Sequence, residues 1–340
     1  MKRVSWKYRA LALGVAFVLL LTTLSGCASV KDALSKLSGG GSGSSAGGSN
    51  TEVQKYNAYI DLSNDLSELY KSLDDYEEKF GWDAEPQYGS SFSGFSMYSV
   101  TSLRNHLQTA AGLAGKNPAN VADAAMKAMA EPLGDYVDQM VAAKEYYDAK
   151  SFVDDNFVKG KAVHAYLVEH YDEVDELVTV FWEKIDEMTA ETDKKELERY
   201  QKDGQTVHYN CLNVLIAAQN VSAYVSDASV ADFLDNLTEA DYKVVYDQYV
   251  AAYDQYMTDV GDDSNAGKEE NIMTLSTFTS DVKDFKASAA ELLLYLREKK
   301  SFGSTYENNP TLAKMTDGTP ENIRKLCSDM VSNYNTWVIN

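Results

Sequence analysis

After residue 51, apolar residues recur at steps of three and four along almost the whole chain, which is the period of an amphipathic α-helix. Stripes of this kind occupy 53–80, 121–147, 163–188, 207–225, 239–260, 277–300 and 319–340. No run with the alternation of a β-strand stands out between turn dipeptides. The sequence therefore predicts an all-α fold. We expect either one elongated antiparallel helical bundle or two stacked bundles that share a long central helix, 157–200.

Local signals predict several helix boundaries. Gly81 follows the first stripe, where a glycine closes a helix readily. Asn117 precedes a proline and predicts the start of the helix that carries the 121–147 stripe, whereas Pro132 should kink or split that helix. Thr238 and Thr319 are expected to cap the helices that follow them, because a threonine side chain can accept a hydrogen bond from a free backbone N–H.

The first and last helices are expected to pack against each other. Both carry full apolar stripes that need a partner, and the ends of a domain are often close in space. We therefore expect Tyr56 and Ile60 to lie near Met330 and Trp337.

The first 27 residues have the organisation of a secretory signal. Four basic residues precede an apolar run from Ala10 to Leu24, which is short for a membrane span. The run ends in Leu24-Ser25-Gly26-Cys27, which resembles the lipobox of bacterial lipoproteins. By that resemblance the peptide is cut before Cys27, which becomes the lipid attachment site and carries two or more acyl chains such as palmitate. Two chains anchor a protein stably, whereas one binds only reversibly.

The sequence divides into three parts. Residues 1–27 form the lipoprotein signal peptide, and residues 28–50 are a flexible tether whose segment from Ser38 to Asn50 contains only Gly, Ser, Ala and Asn. Residues 51–340 are expected to form the helical extracytoplasmic domain. The anchored location would be the cell membrane or the outer membrane.

The start of the domain resembles a known family. Lys55-Tyr56-Asn57-Ala58-Tyr59-Ile60-Asp61, which follows a lipobox and a low-complexity tether, is similar to the YiiG-like family of bacterial lipoproteins. The resemblance would cover 51–340 and implies a helical protein of unknown function. It implies no catalytic residue.

The charge of the chain restricts its partners. Loss of the signal peptide would leave 27 lysines and arginines against 52 acidic residues, a net charge of −25. Nucleic acids and anionic headgroups are bound by clusters of Lys and Arg, so neither is an expected partner. The membrane, through lipidated Cys27, is the expected contact, together with an envelope protein, a cell-wall component or a small ligand.

Two features leave alternatives open. Cys211 and Cys327 lie on apolar helical stripes, which favours buried thiols, although the expected compartment would allow a disulfide. The segment from Trp82 to Ser99 mixes aromatic residues with glycines and serines. It reads either as a loop whose aromatic side chains cover a core or as a lid that faces a ligand.

The sequence contains two weak metal-binding patterns. His170 and Glu173 resemble the His-x-x-Glu motif of imelysin-type proteins, but Val168 stands where that motif has glycine, so we expect a core histidine. Residues 259–270 place Asp and Glu at the first and last positions of an EF-hand count but lack other required residues, so we expect an acidic connector. No metal site and no cofactor is predicted.

Catalytic motifs were sought as well. No nucleophile elbow, zinc-protease motif or phosphate-binding loop is found, and no catalytic residue is predicted. The lipobox, the tether and the lack of a catalytic motif together predict a membrane-anchored bacterial lipoprotein with a non-enzymatic binding or structural role in the cell envelope. The alternative is a solute- or metal-binding lipoprotein that serves a transporter.

Overall fold

The computed structural model describes residues 46–83, 94–261, 265, 268–269 and 272–338. Within these ranges the chain forms twelve α-helices and no strand, which confirms the all-α fold class. No helix in the described ranges combines the length and the apolar character that a membrane span requires.

The described residues form two compact units, 46–188 and 189–338. The amino-terminal unit contains α1 (Ala46–Phe80), α2 (Val100–Leu113), α3 (Asp123–Asp148), α4 (Phe152–Asp155) and the first part of α5 (Val158–Asp203). The boundary between the units falls inside α5, so this helix contributes residues to both units. The sequence predicts such a shared long helix at 157–200.

The carboxyl-terminal unit contains the remainder of α5 and seven further helices. These are α6 (Thr206–Tyr224), α7 (Phe233–Asn236), α8 (Glu239–Asp259), α9 (Ser276–Glu298), α10 (Ser304–Glu307), α11 (Pro310–Ala313) and α12 (Pro320–Trp337). Helix α6 packs against α8 and α12, and α9 packs against the same two helices. Twelve of the nineteen residues of α6 are buried, which makes it the central helix of this unit.

The buried face of α1 shows how the sequence specifies the amino-terminal core. One row of its buried positions follows steps of four and three, and α2 and α5 contact this helix. The positions are Lys55, Tyr59, Leu62, Leu66, Leu69, Leu73, Tyr76 and Phe80. All but the first are hydrophobic, so the stripe that the sequence predicts is the surface that the fold buries.

Several predicted helix ends are confirmed. The Thr238 and Thr319 side chains each accept a hydrogen bond, at 3.1 Å, from the backbone N–H three residues later. Gly81 follows α1 with φ of 69°, a left-handed conformation that costs glycine little, and its N–H donates to the Glu77 carbonyl at 2.7 Å.

Other predicted boundaries are wrong. Helix α1 begins at Ala46, inside the segment predicted as a tether, although Gly47 and Gly48 are poor helix formers. Helix α3 begins at Asp123 rather than beside Asn117, and it continues through Pro132 without a break. The burial of Met129 and Leu133 on either side of Pro132 offsets the hydrogen bond that the proline removes.

The predicted pairing of the first and last helices is also wrong. Helix α1 belongs to the amino-terminal unit and packs against α2, whereas α12 belongs to the carboxyl-terminal unit and packs against α9 and α6. Each apolar stripe therefore finds its partners within its own unit.

Candidate functional site

The lipid attachment site that the sequence predicts, Cys27, lies outside the described residues. Most of the Trp82 to Ser99 segment, 84–93, lies outside them as well. The structure therefore shows only Trp82, Asp83 and 94–99 of this segment.

The end of this segment packs onto α1. Phe95 is buried, and its ring centroid lies 5.0 Å from that of Tyr76 in an edge-to-face contact. The backbone N–H of Tyr98 donates to the Ser72 hydroxyl at 2.9 Å. For 94–99, the alternative of a loop that covers a core is thus the correct one.

Phe95 belongs to a large group of rings that we call the aromatic end of the amino-terminal unit. The group comprises Tyr76, Phe80, Trp82, Phe95, Tyr146, Tyr147, Phe152, Phe157, His164 and Tyr171. Trp82 is half-buried, with ring centroids 5.4 Å from those of both Tyr76 and Tyr171. The hydroxyl of Tyr76 lies 3.0 Å from Nδ1 of the buried His164, and burial raises the pKa of this tyrosine. Nine of these ten rings are buried, so Trp82 is the member of the group that presents part of its ring to solvent.

The backbone at the aromatic end is strained. Of the five described non-glycine residues with positive φ, four lie here: Ser99, Lys150, Asn156 and Phe157. Lys150 and Asn156 take this conformation just after α3 and α4, as residues at helix ends commonly do, whereas Phe157 adopts it at a cost of about 1 kcal/mol or more. Stacking of Phe157 on Phe152 at 4.9 Å offsets part of the cost.

Two valines at the same end are exposed. Val153 and Val158, which flank Asn156 and Phe157, are 69% and 67% exposed. With the half-buried Trp82 they add apolar surface beside the strained backbone. The aromatic end is accordingly the candidate site of the described residues, with binding as the chemistry that its side chains can provide.

The amino-terminal unit also contains a buried ion pair that the sequence analysis missed. The Lys55 ammonium donates to Asp123 Oδ2 at 2.7 Å, to the Pro118 carbonyl at 2.8 Å and to the Lys116 carbonyl. The Tyr59 hydroxyl donates to Asp123 Oδ1 at 2.6 Å. Three acceptors satisfy the three donors of the ammonium, so this cluster joins α1 to the start of α3 and has no donor left for a ligand.

These bonds explain why α3 starts later than predicted. The carbonyls of Lys116 and Pro118 bond the Lys55 side chain across more than sixty residues of sequence. They are consequently not used in a helix that begins at Asn117. The signal that could have revealed the pair is a lysine on the core stripe of α1.

Three of the tyrosines of α8, Tyr242, Tyr249 and Tyr256, are core residues whose hydroxyls bond inside the core. The Tyr242 and Tyr249 hydroxyls donate to the Ala289 and Val282 carbonyls at 2.9 and 2.7 Å. Tyr256 bonds Thr279 at 2.7 Å. Close packing of α8 on α9 brings each hydroxyl to an acceptor on the facing helix, which satisfies it inside the core.

A second buried pair, His208 and Glu269, lies in the carboxyl-terminal unit. One Glu269 oxygen lies 2.7 Å from His208 Nδ1 and accepts from the His208 N–H at 3.0 Å, while the other accepts from the Val207 N–H at 2.8 Å. A carboxylate here satisfies free N–H groups at the start of α6 and complements the helix dipole. Asn265, which also lies within 259–270, donates to the Val260 carbonyl at 2.7 Å. Glu269 and Asn265 thus form hydrogen bonds to neighbouring helix ends, as residues of an acidic connector can.

His170 is half-buried rather than a core residue. Its Nδ1 lies 2.9 Å from the Tyr166 carbonyl, and the ring stacks on Tyr166 at 4.0 Å. In the described ranges, no three His, Cys, Asp or Glu side chains are grouped as metal ligands.

Both remaining cysteines are free thiols, which resolves the alternative that the sequence left open. Cys211 and Cys327 are fully buried in the carboxyl-terminal core. Burial raises the pKa of both thiols, which keeps them protonated and unreactive while the unit is folded.

Asp186 on α5 is expected to make stability pH-dependent. Burial and repulsion by Glu183 raise its pKa to about 6, and its Oδ1 has no hydrogen-bond partner among the described residues. Ionisation is thus unfavourable in the fold, so stability falls as pH rises from about 4 to 6 and stays low above that. We expect Asp186→Asn to stabilise the protein by about 1 to 3 kcal/mol at pH 7.5.

Thermal melting at pH 7.5 and pH 3.5 checks this expectation. The gain should disappear at the lower pH, where the native carboxyl is already neutral. Glu187→Gln is the matched control, because Glu187 has a side chain that is 55% exposed. A gain that persists at pH 3.5, or none at pH 7.5, would contradict the assignment.

Comparison with known proteins gives few relatives. A family model described as "Protein of unknown function (DUF3829)" matches residues 50–336. The uncharacterized protein YiiG of Escherichia coli (strain K12) is 26% identical over 95 residues, which are 28% of this chain and 26% of that protein. The chain thus spans about a quarter of that relative's length. No solved structure shows significant similarity to the chain.

Proposed function

The chain belongs to the DUF3829 family, whose function is unknown, and from this premise we propose that it is a membrane-anchored bacterial lipoprotein with a non-enzymatic binding or structural role in the cell envelope. The resemblance to the YiiG-like family is confirmed by the family match and the similarity to YiiG. Neither comparison assigns an activity, so the role is argued from this chain alone.

The observation that carries the proposal is the order of segments at the amino terminus. A basic, then apolar segment ends at Leu24-Ser25-Gly26-Cys27, and a Gly/Ser-rich stretch follows before α1. A lipid anchor needs such a tether, because the folded part must clear the headgroups. On this proposal the helical units lie outside the cytoplasm, at the cell membrane or the outer membrane.

The use of the ionisable side chains supports a non-enzymatic role. Lys55 and Asp123 bond each other and neighbouring backbone, and Glu269 bonds His208 and the start of α6. Groups that could serve as acid, base or metal ligand are thus employed in holding helices together. At the aromatic end, the half-buried Trp82 and the exposed Val153 and Val158 remain as apolar surface for a partner protein or a wall component.

The lipid anchor is tested by Cys27→Ser. We expect the variant to lose incorporation of labelled palmitate and to accumulate as uncleaved precursor. Cys327→Ser is the matched control, since it removes a buried thiol and should keep the label. Label retained in Cys27→Ser would overturn the proposed anchor.

The aromatic end also favours a second candidate, a solute- or metal-binding lipoprotein that serves a transporter. A ligand at a hundred times its Kd stabilises a protein by about 2.7 kcal/mol. A thermal-shift screen with amino acids, sugars and divalent metals should then raise Tm by several degrees for one class of compound. The primary proposal would be favoured if no compound raises Tm and if cross-linking in whole cells captures a partner protein only when the anchor is present.

A further inference from the structure

We draw no further inference here: the strongest candidate, the pair of half-buried carboxyls Asp186 and Asp193 on one face of α5, rests on raised pKa values whose causes are burial and the like charges of Glu183 and Glu196, which do not point to a ligand.

Discussion

Ending the chain after Thr319 is expected to unfold the carboxyl-terminal unit. The deletion removes α12, whose side chains Ile323, Met330 and Tyr334 are buried in the core of that unit against α9 and α6. Truncation of one large buried side chain costs about 2 to 5 kcal/mol. Loss of several at once exceeds the 5 to 15 kcal/mol or so that stabilises a typical domain.

The same deletion removes a buried guanidinium. Arg324 Nη1 donates to the Val225 and Ala228 carbonyls, each at 2.7 Å, and so satisfies carbonyls just beyond the end of α6. In the truncated chain these carbonyls would lose this donor. Each carbonyl that stays buried without a partner destabilises the unit by about 1 to 3 kcal/mol.

Circular dichroism melting of the truncated and full-length chains tests the prediction. Two point variants show how much one buried side chain contributes to stability, because Met330 is fully buried whereas Met315 is 73% exposed. We expect Met330→Ala to cost about 2 to 5 kcal/mol and Met315→Ala less than about 0.5 kcal/mol. Cooperative melting of the truncated chain near the full-length Tm would show that α12 is dispensable.

Lys55→Met is expected to be the most damaging single substitution in the amino-terminal unit. It leaves the Asp123 carboxylate without its cationic partner, and removing one member of a buried pair costs about 3 to 5 kcal/mol. The double variant Lys55→Met with Asp123→Leu should recover part of the loss, because it leaves no buried charge unpaired. The control is Lys71→Met, whose side chain is 61% exposed in its pair with Glu68 and should cost less than about 1 kcal/mol.

The loss of stability in Lys55→Met should also depend on pH. Burial raises the pKa of Asp123, but hydrogen bonds from Lys55 and Tyr59 outweigh burial, so the pKa lies below its usual range. A lowered pKa contributes stability above the unfolded value of about 4, and that stability is lost as pH falls through the folded pKa. Melting curves should accordingly show a smaller gap between the native chain and Lys55→Met in acid than at pH 7. An equal gap at both pH values would mean that the lost contacts are not those of an ion pair.

The sequence predicted the helices well because their buried faces repeat with the helical period. The stripe of α1 and the threonine caps of α8 and α12 depend on residues close together in the chain, so local spacing is enough to find them. The partner of each helix depends on surfaces far apart in sequence. Apolar stripes alone do not distinguish α2 from α12 as the partner of α1, and the predicted pairing failed there.

The buried polar clusters were missed for a related reason. Lys55, His208 and Arg324 each stand on an otherwise apolar helix face, where a polar residue interrupts the pattern. Such an interruption indicates that a partner is required but not which one, because Glu269 lies 61 residues from His208 and Val225 lies 99 from Arg324. The aromatic end was only partly anticipated, since its rings come from α1, α3 and α5 as well as from the segment after Trp82.

The burial of Cys211 and Cys327 gives the protein a built-in reporter of local opening. In a Cys27→Ser variant these are the chain's only thiols, and both lie in the carboxyl-terminal unit. A thiol-reactive dye can modify them only when that unit opens, so the rate of labelling in native buffer measures its opening free energy when opening is fast and reversible. The amino-terminal unit would be silent in this assay, which allows the fluctuations of one half of the molecule to be followed in the intact chain.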